Sequence, residues 1–113
     1  MKLVTAIIQP EALTPVKDAL IKVGIAKMTV YPVQGCGQQS GYEESYRGNV
    51  IQLNLLKKVA VDIAVNDDFV EETKNAIIQG ARTGKIGDGK IFVRTLDECV
   101  RIRTGESGED AVG

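Results

Sequence analysis

The sequence has no histidine among its 113 residues. This absence excludes Ser-His-Asp and Cys-His hydrolysis, phosphohistidine chemistry and the usual histidine-rich metal sites. An enzyme built on this chain would lack the side chain that most often transfers protons near neutral pH. The composition therefore disfavours the common catalytic mechanisms.

Other features are scarce as well. The two cysteines, Cys36 and Cys99, form neither a disulfide framework nor a zinc-binding pattern, so we expect thiols in a reducing cytoplasm. A net charge of -1 lacks the basic excess of nucleic-acid-binding domains. The apolar runs are too short to cross a bilayer, and the start MKLVTAIIQP is too short in apolar residues for a signal peptide. These absences indicate a soluble cytoplasmic domain without a nucleic-acid partner.

The first third of the chain predicts a β-α-β unit. KLVTAII at 2–8 is rich in β-formers. Thr14 and Pro15 are typical of an N-cap and a first helical position, and Gly24 is the expected helix end. MTVYPV at 28–33 predicts a second strand, and its proline favours an edge position or an irregular end.

The second half repeats this order after a long polar segment. LLKKVAVDIAV at 55–65 and KIFVRTL at 90–96 predict strands, and Asn66 and its two following aspartates predict the N-cap of a helix between them. The apolar stripe of that helix is Val70, Thr73, Ile77 and Ala81. The stretch VRIRTGESGEDAVG that ends the sequence begins as an extended pattern, and its polar part, the tail at 104–113, is expected to be flexible.

This order predicts one α+β domain over residues 1–113, a ferredoxin-like βαββαβ sandwich with an antiparallel sheet and both helices on one face. In the strand at 55–65, Val61 and Ile63 alternate with Ala60 and Asp62, so neither face is strongly polar. We expect the sheet face without helices to pack against other subunits.

TGKIGDGK at 83–90 is the most specific chemical signal. It fits the P-loop spacing G-x-x-x-x-G-K, but Ile91 stands where a P-loop needs Ser or Thr, and the turn leaves a helix to open a strand, the reverse of a P-loop. Its glycines still allow backbone N–H groups to converge on an anion beside Lys85 and Lys90. The alternative is a helix C-cap at Gly84 followed by an ordinary tight turn.

Arg101 and Arg103 form a second candidate anion site. In an extended segment both side chains point to one face, and two aligned guanidinium groups suit bidentate binding of phosphate or carboxylate. The alternative is a solvated edge strand in which these arginines form salt bridges with Asp97, Glu98 or acids of the tail.

Two functional classes fit the topology poorly. An RNA-binding βαββαβ module needs aromatic residues on its central strands, and aromatics make up only 4% of this sequence. A phosphoryl-transfer enzyme would lack both histidine and the P-loop Ser or Thr.

The motifs together resemble the nitrogen regulatory protein P-II family over the full length of the chain. The stretches that carry the resemblance are AII at 6–8 with MTV at 28–30, GYEESYRG at 41–48, ARTGKIGDGKIFV at 81–93 and RIRTGESGEDA at 101–111. The resemblance implies a non-enzymatic signal-transduction protein, assembled as a homotrimer, that binds ATP or ADP between subunits and 2-oxoglutarate beside Mg-ATP. It further implies a T-loop, here about residues 36–54, that docks on a target such as a membrane ammonium transporter.

The resemblance also assigns site residues by position. At the nucleotide it places Thr29, Gly35, Gly37, Gln38, Ala64, Gly87, Asp88, Gly89 and Lys90, with Arg101 and Arg103 from the adjacent subunit. At 2-oxoglutarate it places Gly37, Gln39, Gly41 and Lys58. Gln39 also completes the magnesium shell, and Tyr46 and Arg47 contact the partner.

Several positions depart from the family pattern. Ile51 replaces the tyrosine that is uridylylated in many members, and Asn49 replaces a serine that is phosphorylated in others. Gln9, Gln38 and Ser40 replace basic residues of the anion sites, so we expect weaker or altered 2-oxoglutarate binding. The alternative within the family is a regulator of a different target, such as a nitrogenase, a carboxylase or another transporter.

Overall fold

A computed structural model of the protein describes residues 1–37 and 54–113. The elements are β1 (Lys2–Ile8), α1 (Leu13–Lys22), β2 (Thr29–Gly37), β3 (Asn54–Val65), α2 (Val70–Ala81), β4 (Gly89–Thr95) and the short α3 (Glu109–Val112). The strands form one antiparallel sheet in the order β2-β3-β1-β4. The predicted ferredoxin-like βαββαβ sandwich is confirmed.

The hydrophobic core lies between the sheet and the two long helices. Val4, at the centre of β1, pairs with Ile63 on one side and with Val93 on the other, so alternate residues of three strands face the helices. From α1, Val16 and Leu20 are completely buried against this face. Each such side chain contributes about 1.5–3 kcal/mol when it leaves water.

The two helices pack very closely at Gly80. A Cβ atom at this position would lie 2.7 Å from the backbone nitrogen and Cα of Val16 and 2.8 Å from the carbonyl carbon of Pro15. Real Cβ atoms do not approach backbone atoms this closely, so only glycine allows α2 to cross α1 here. The helical pattern of the sequence did not indicate this constraint.

Both helices begin differently from the predictions. A 3-10 turn at Pro10–Ala12 precedes α1, so the helix begins at Leu13 and not after a Thr14 cap. Pro15 is tolerated inside the first helical turn because N–H groups there have no intrahelical partner. Another 3-10 turn, Asp67–Phe69, precedes α2, so Asn66 precedes that turn rather than the helix.

The helical stripe predicted for α2 is confirmed. Thr73, Ile77 and Ala81 are buried, and Val70 packs partly against the core. The buried hydroxyl of Thr73 donates a hydrogen bond to the carbonyl oxygen of Phe69 at 2.7 Å, which satisfies its polar atom inside an apolar interface.

β2 is an edge strand, as Pro32 predicted. It extends to Gly37 and pairs there with Asn54 of β3, so these two strands project beyond the end of β1. Cys36 is exposed within this projecting part.

The open face of the sheet carries a polar cluster among apolar side chains. Asp62 accepts hydrogen bonds from the Thr5 hydroxyl at 2.6 Å and from the Tyr31 hydroxyl at 2.9 Å. The bond to Asp62 raises the pKa of Tyr31 above its usual range. Phe92 of β4 is 50% exposed in the single chain. The packing of this face against other subunits stays a prediction. In residues 1–37 and 54–113 no helix is long and apolar enough to cross a membrane.

Candidate functional site

The predicted glycine-rich turn at 83–90 connects α2 to β4. α2 ends at Ala81, and Arg82 is already extended, so the alternative of a helix C-cap at Gly84 is wrong. Gly84 and Gly87 have φ values of +87° and +103°, in the region that favours glycine. The turn is therefore a folded structure of its own between the helix and the strand.

The Asp88 carboxylate folds this turn from within. Its Oδ2 accepts the backbone N–H groups of Thr83 at 2.7 Å and Gly84 at 2.9 Å, and its Oδ1 accepts the Thr83 hydroxyl. The hydroxyl oxygen accepts the Lys85 N–H at 3.2 Å. The hydrogen bonds from Thr83, its hydroxyl first, lower the pKa of Asp88. This carboxylate therefore shapes the loop that an anion would meet.

The turn should lose part of its stability in acid. Because the folded-state pKa of Asp88 is lowered, the contribution of its charge is fully present above the unfolded value of about 3.9 and is lost as the pH falls through the folded-state pKa. We expect Asp88→Asn to lower the urea midpoint at pH 7 and the gap to wild type to close as the pH falls below about 4. The exposed Asp97→Asn is the control, and a gap that persists unchanged in acid would contradict the assignment.

The carbonyl oxygen of Gly87 receives two side chains from the sheet. Gln9 Nε2 donates to it at 2.7 Å and Lys58 Nζ at 3.0 Å. Both donors lie at the same end of the sheet, because Ile8 pairs with Val59 in the register of β1 and β3. The structure thus brings Lys58, predicted at 2-oxoglutarate, against the turn predicted at the phosphates.

A cleft of about 470 Å³ opens beside the turn, between α2 and β4. Ile77, Ile78 and Val93 give it apolar walls, and Arg82 and Lys90 contribute cationic groups. Lys74 and Asp88 also line it. A largely apolar cleft with a few polar groups is typical of small-molecule sites.

Thr29 and Ala64 lie away from the turn. The strand order places Thr29 on the β2 edge and Lys90 on the β4 edge, three strand spacings apart, which is about 14 Å. Ala64 pairs with Leu3, whereas β4 begins opposite Ile8, about 17 Å further along the sheet. One chain therefore holds the predicted nucleotide residues in two separate groups.

The prediction that Arg101 and Arg103 lie on an extended segment is wrong. The chain reverses after Arg101, whose carbonyl oxygen accepts the Gly105 N–H at 2.7 Å and whose N–H donates to the Glu106 carbonyl oxygen at 2.8 Å. Glycines with positive φ at 105 and 108 permit the reversal, and this turn chemistry outweighs the β-propensity of VRIR. Ile102, between the arginines, is 100% exposed.

Of the alternative, an edge strand with salt bridges from both arginines, only the salt bridge of Arg101 to a tail acid is confirmed. Its Nη1 donates to Glu106 Oε1 at 2.9 Å. The tail continues through Gly108 into α3, a short helix in the polar part of the stretch that the sequence pattern did not predict. The predicted flexibility of residues 104–113 stays a prediction.

Several predicted residues lie outside residues 1–37 and 54–113: Gln38, Gln39, Gly41, Tyr46 and Arg47, together with most of the T-loop. Gly37 is described only as the last residue of β2. Gly35 lies beside Lys58, since a Cβ atom on it would stand 3.6 Å from Lys58 Cγ. In the described ranges no group of three or more His, Cys, Asp or Glu side chains could hold a metal ion.

The sequence did not indicate the supporting roles of three residues, one in the turn and two beside the tail. Thr83 completes the turn, and Lys27 and Asn66 hold the tail through hydrogen bonds to the carbonyl oxygens of Gly113 at 3.2 Å and Glu109 at 3.3 Å. Only the role of Thr83 could have been predicted from the sequence, because its hydroxyl lies five residues before an aspartate in a glycine-rich turn. Partners distant in sequence left no local pattern.

The family model and the similar proteins all belong to one family. The nitrogen regulatory protein P-II family matches residues 1–106. The chain is 52% identical over 112 residues to nitrogen regulatory protein P-II 2 of Methanothermobacter thermautotrophicus, covering 99% of this chain and 97% of the relative. It is 49% identical over 112 residues to nitrogen regulatory protein GlnK of Escherichia coli K12, covering 99% and 100%.

The fold has a solved counterpart as well. A crystal structure of Arabidopsis thaliana PII bound to citrate superposes with a TM-score of 0.80 and 40% sequence identity, covering 98% of this chain and 88% of the other. Sequence and structure comparisons thus agree over nearly the whole chain.

Proposed function

This chain belongs to the nitrogen regulatory protein P-II family of signal-transduction regulators of nitrogen metabolism, and from that premise we propose that it senses ATP and ADP without catalysing a reaction. The observation that carries the proposal is the turn at 83–90, which Asp88 folds from within and which Lys58 and Gln9 hold at Gly87. A loop fixed from both sides presents its backbone N–H groups to a phosphate without a large ordering cost.

The charges beside the turn suit a polyphosphate. Lys90, exposed at the start of β4, is a cationic residue that follows Gly87 and Gly89 in the chain. A charge-assisted hydrogen bond from such a group is roughly twice as strong as a neutral one. The phosphates would therefore meet the turn and Lys90 of one chain.

The rest of the nucleotide site would come from a second copy of the chain. Thr29 and Ala64 lie about 14–17 Å from the turn of their own chain, and Arg101 contacts the tail near Lys27, at the end of the sheet opposite the turn. A site that needs both groups is complete only where the turn of one copy faces Thr29, Ala64 and Arg101 of another. This geometry supports the homotrimer with nucleotide clefts between subunits.

2-Oxoglutarate is proposed as the second ligand, bound through Lys58. Its dianion beside a triphosphate needs Mg²⁺, which Gln39 would help to hold, because like charges otherwise repel. The neutral amide of Gln9 donates its hydrogen bond to the Gly87 carbonyl oxygen. A basic residue at position 9 would attract the dianion, whereas this amide carries no charge. We therefore propose weaker 2-oxoglutarate binding than in family members with a basic residue at this position. The citrate in the Arabidopsis structure is also a carboxylate ligand.

The output of the sensor would be T-loop docking on a target protein. Tyr46 and Arg47 are the proposed contacts, and a membrane ammonium transporter is the proposed partner of this cytoplasmic protein. With Ile51 and Asn49 at the positions of the two modifications, small molecules alone would switch the loop.

Calorimetry on the purified protein tests the proposal. ATP and ADP should each bind and compete with one another, and 2-oxoglutarate should bind only when ATP and Mg²⁺ are both present. EDTA should abolish the 2-oxoglutarate response and leave ADP binding in place. Absence of binding by both nucleotides would refute the sensor function, and steady ATP turnover would refute the non-enzymatic assignment.

A further inference from the structure

The side chain of Arg101 donates three hydrogen bonds, of the five that a guanidinium can make, to the tail of its own chain. Besides the Glu106 bond, its Nη2 donates to the carbonyl oxygens of Asp110 at 2.9 Å and Gly113 at 3.0 Å. Glu106 Oε1 also accepts the Thr104 hydroxyl at 2.8 Å, which fixes the carboxylate in front of the guanidinium. The same fork of N–H donors would have to bind a phosphate.

The tail has further anchors that do not involve Arg101. Lys27 Nζ donates to the Gly113 carbonyl oxygen and Asn66 Nδ2 to the Glu109 carbonyl oxygen. Val112 lines a cavity of about 290 Å³ together with Phe69. The docked position of the tail is therefore a defined arrangement against the starts of β2 and α2.

We propose that the tail is an internal ligand of Arg101 that a nucleotide phosphate must displace. A phosphate bound by two N–H groups of Arg101 would use at least one nitrogen that already bonds to the tail, and the Glu106 carboxylate would repel it. Nucleotide binding and tail docking are thus negatively coupled, and the coupling is reciprocal: a docked tail weakens nucleotide binding, and bound nucleotide releases the tail. This inference rests on the proposed nucleotide function.

Variants of the two anchors test the coupling without touching Arg101. Lys27→Ala and Asn66→Ala should each lower the calorimetric Kd for ATP by about threefold, because each removes one hydrogen bond that holds the docked tail. Lys27→Ala also removes a positive charge, which by electrostatics alone would weaken ATP binding. Tighter binding therefore separates tail release from a charge effect. Lys22→Ala, an exposed lysine on α1, is the charge-matched control and should not tighten binding.

NMR hydrogen exchange gives the reciprocal measurement. The Gly108 N–H donates to the Cys99 carbonyl oxygen and the Ala111 N–H to the Gly108 carbonyl oxygen, both at 3.0 Å, in the docked tail. Saturation with ATP should accelerate exchange of both amides about fivefold or more, with no comparable change in β1.

The outcomes separate the two proposals. If the wild-type protein binds ATP but either anchor variant binds it equally or more weakly, or if the two amides exchange at an unchanged rate with ATP bound, the coupling is refuted and the nucleotide function stands. If the wild-type protein binds no nucleotide, both proposals fall together.

Discussion

Gly89→Ala should be the most damaging single-methyl substitution in the turn, with a loss of about 2–5 kcal/mol in the free energy of unfolding. A Cβ atom at this position would overlap the carbonyl oxygen of Ile7 and lie 3.0 Å from its carbonyl carbon. Those atoms belong to the central strand and cannot move without breaking the β1–β4 ladder. The positive φ of +117° adds strain for any residue with a side chain.

Gly84→Ala in the same turn is the matched control. Gly84 also has a positive φ, +87°, but a Cβ atom there meets nothing within 4 Å. It should cost only the conformational strain, about 1–2 kcal/mol. Urea unfolding followed by far-ultraviolet circular dichroism measures both variants. Equal losses for the two would show that the overlap with Ile7 is relieved by a small shift of the strand.

Lys90→Ala should weaken ATP binding by about 100-fold with little change in stability, because a charge-assisted hydrogen bond to a phosphate contributes about 1.5–3 kcal/mol. Lys90 is exposed on β4 and packs little against the protein, so its removal costs the fold almost nothing. Calorimetry with ATP gives the affinity, and urea unfolding shows that the variant is folded.

Two control variants test whether the effect of Lys90→Ala is specific. Lys85→Ala removes the same charge from the same turn and should change the ATP affinity by less than about threefold, the scale of a solvated surface charge. Asn49→Ala, in the T-loop, should leave ATP affinity almost unchanged. If Lys85→Ala weakened ATP binding as much as Lys90→Ala, the turn would attract nucleotide by net charge and Lys90 would have no specific contact.

The elements followed from local patterns. Alternation in LLKKVAVDIAV and the stripe from Val70 to Ala81 correspond to β3 and α2, because strand and helix periodicities are set by backbone geometry alone. The starts of both helices were less predictable. Single 3-10 turns before Leu13 and Val70 shifted them, and such turns depend on how the chain leaves the preceding strand.

The candidate site could be predicted only in part from the sequence. Glycine spacing and lysine content identified the turn, since positive φ and charge are local properties. The use of Asp88 to fold the turn, and of Gln9 to hold Gly87, depends on contacts made across space. At Arg101 the local pattern was misleading. It predicted a strand, but the carboxylate partner of Arg101 and two glycines of the tail produced a turn.

The sequence by itself determined the βαββαβ order, the position of the glycine-rich turn and the family, because each depends on patterns formed by residues close together along the chain. Only the tertiary structure decided which residues share an end of the sheet, that Thr29 and Ala64 lie far from the turn of their own chain, and that the tail occupies Arg101. The physical reason is that these arrangements arise from strand register and long-range hydrogen bonds, whose partners leave no periodic trace in the sequence.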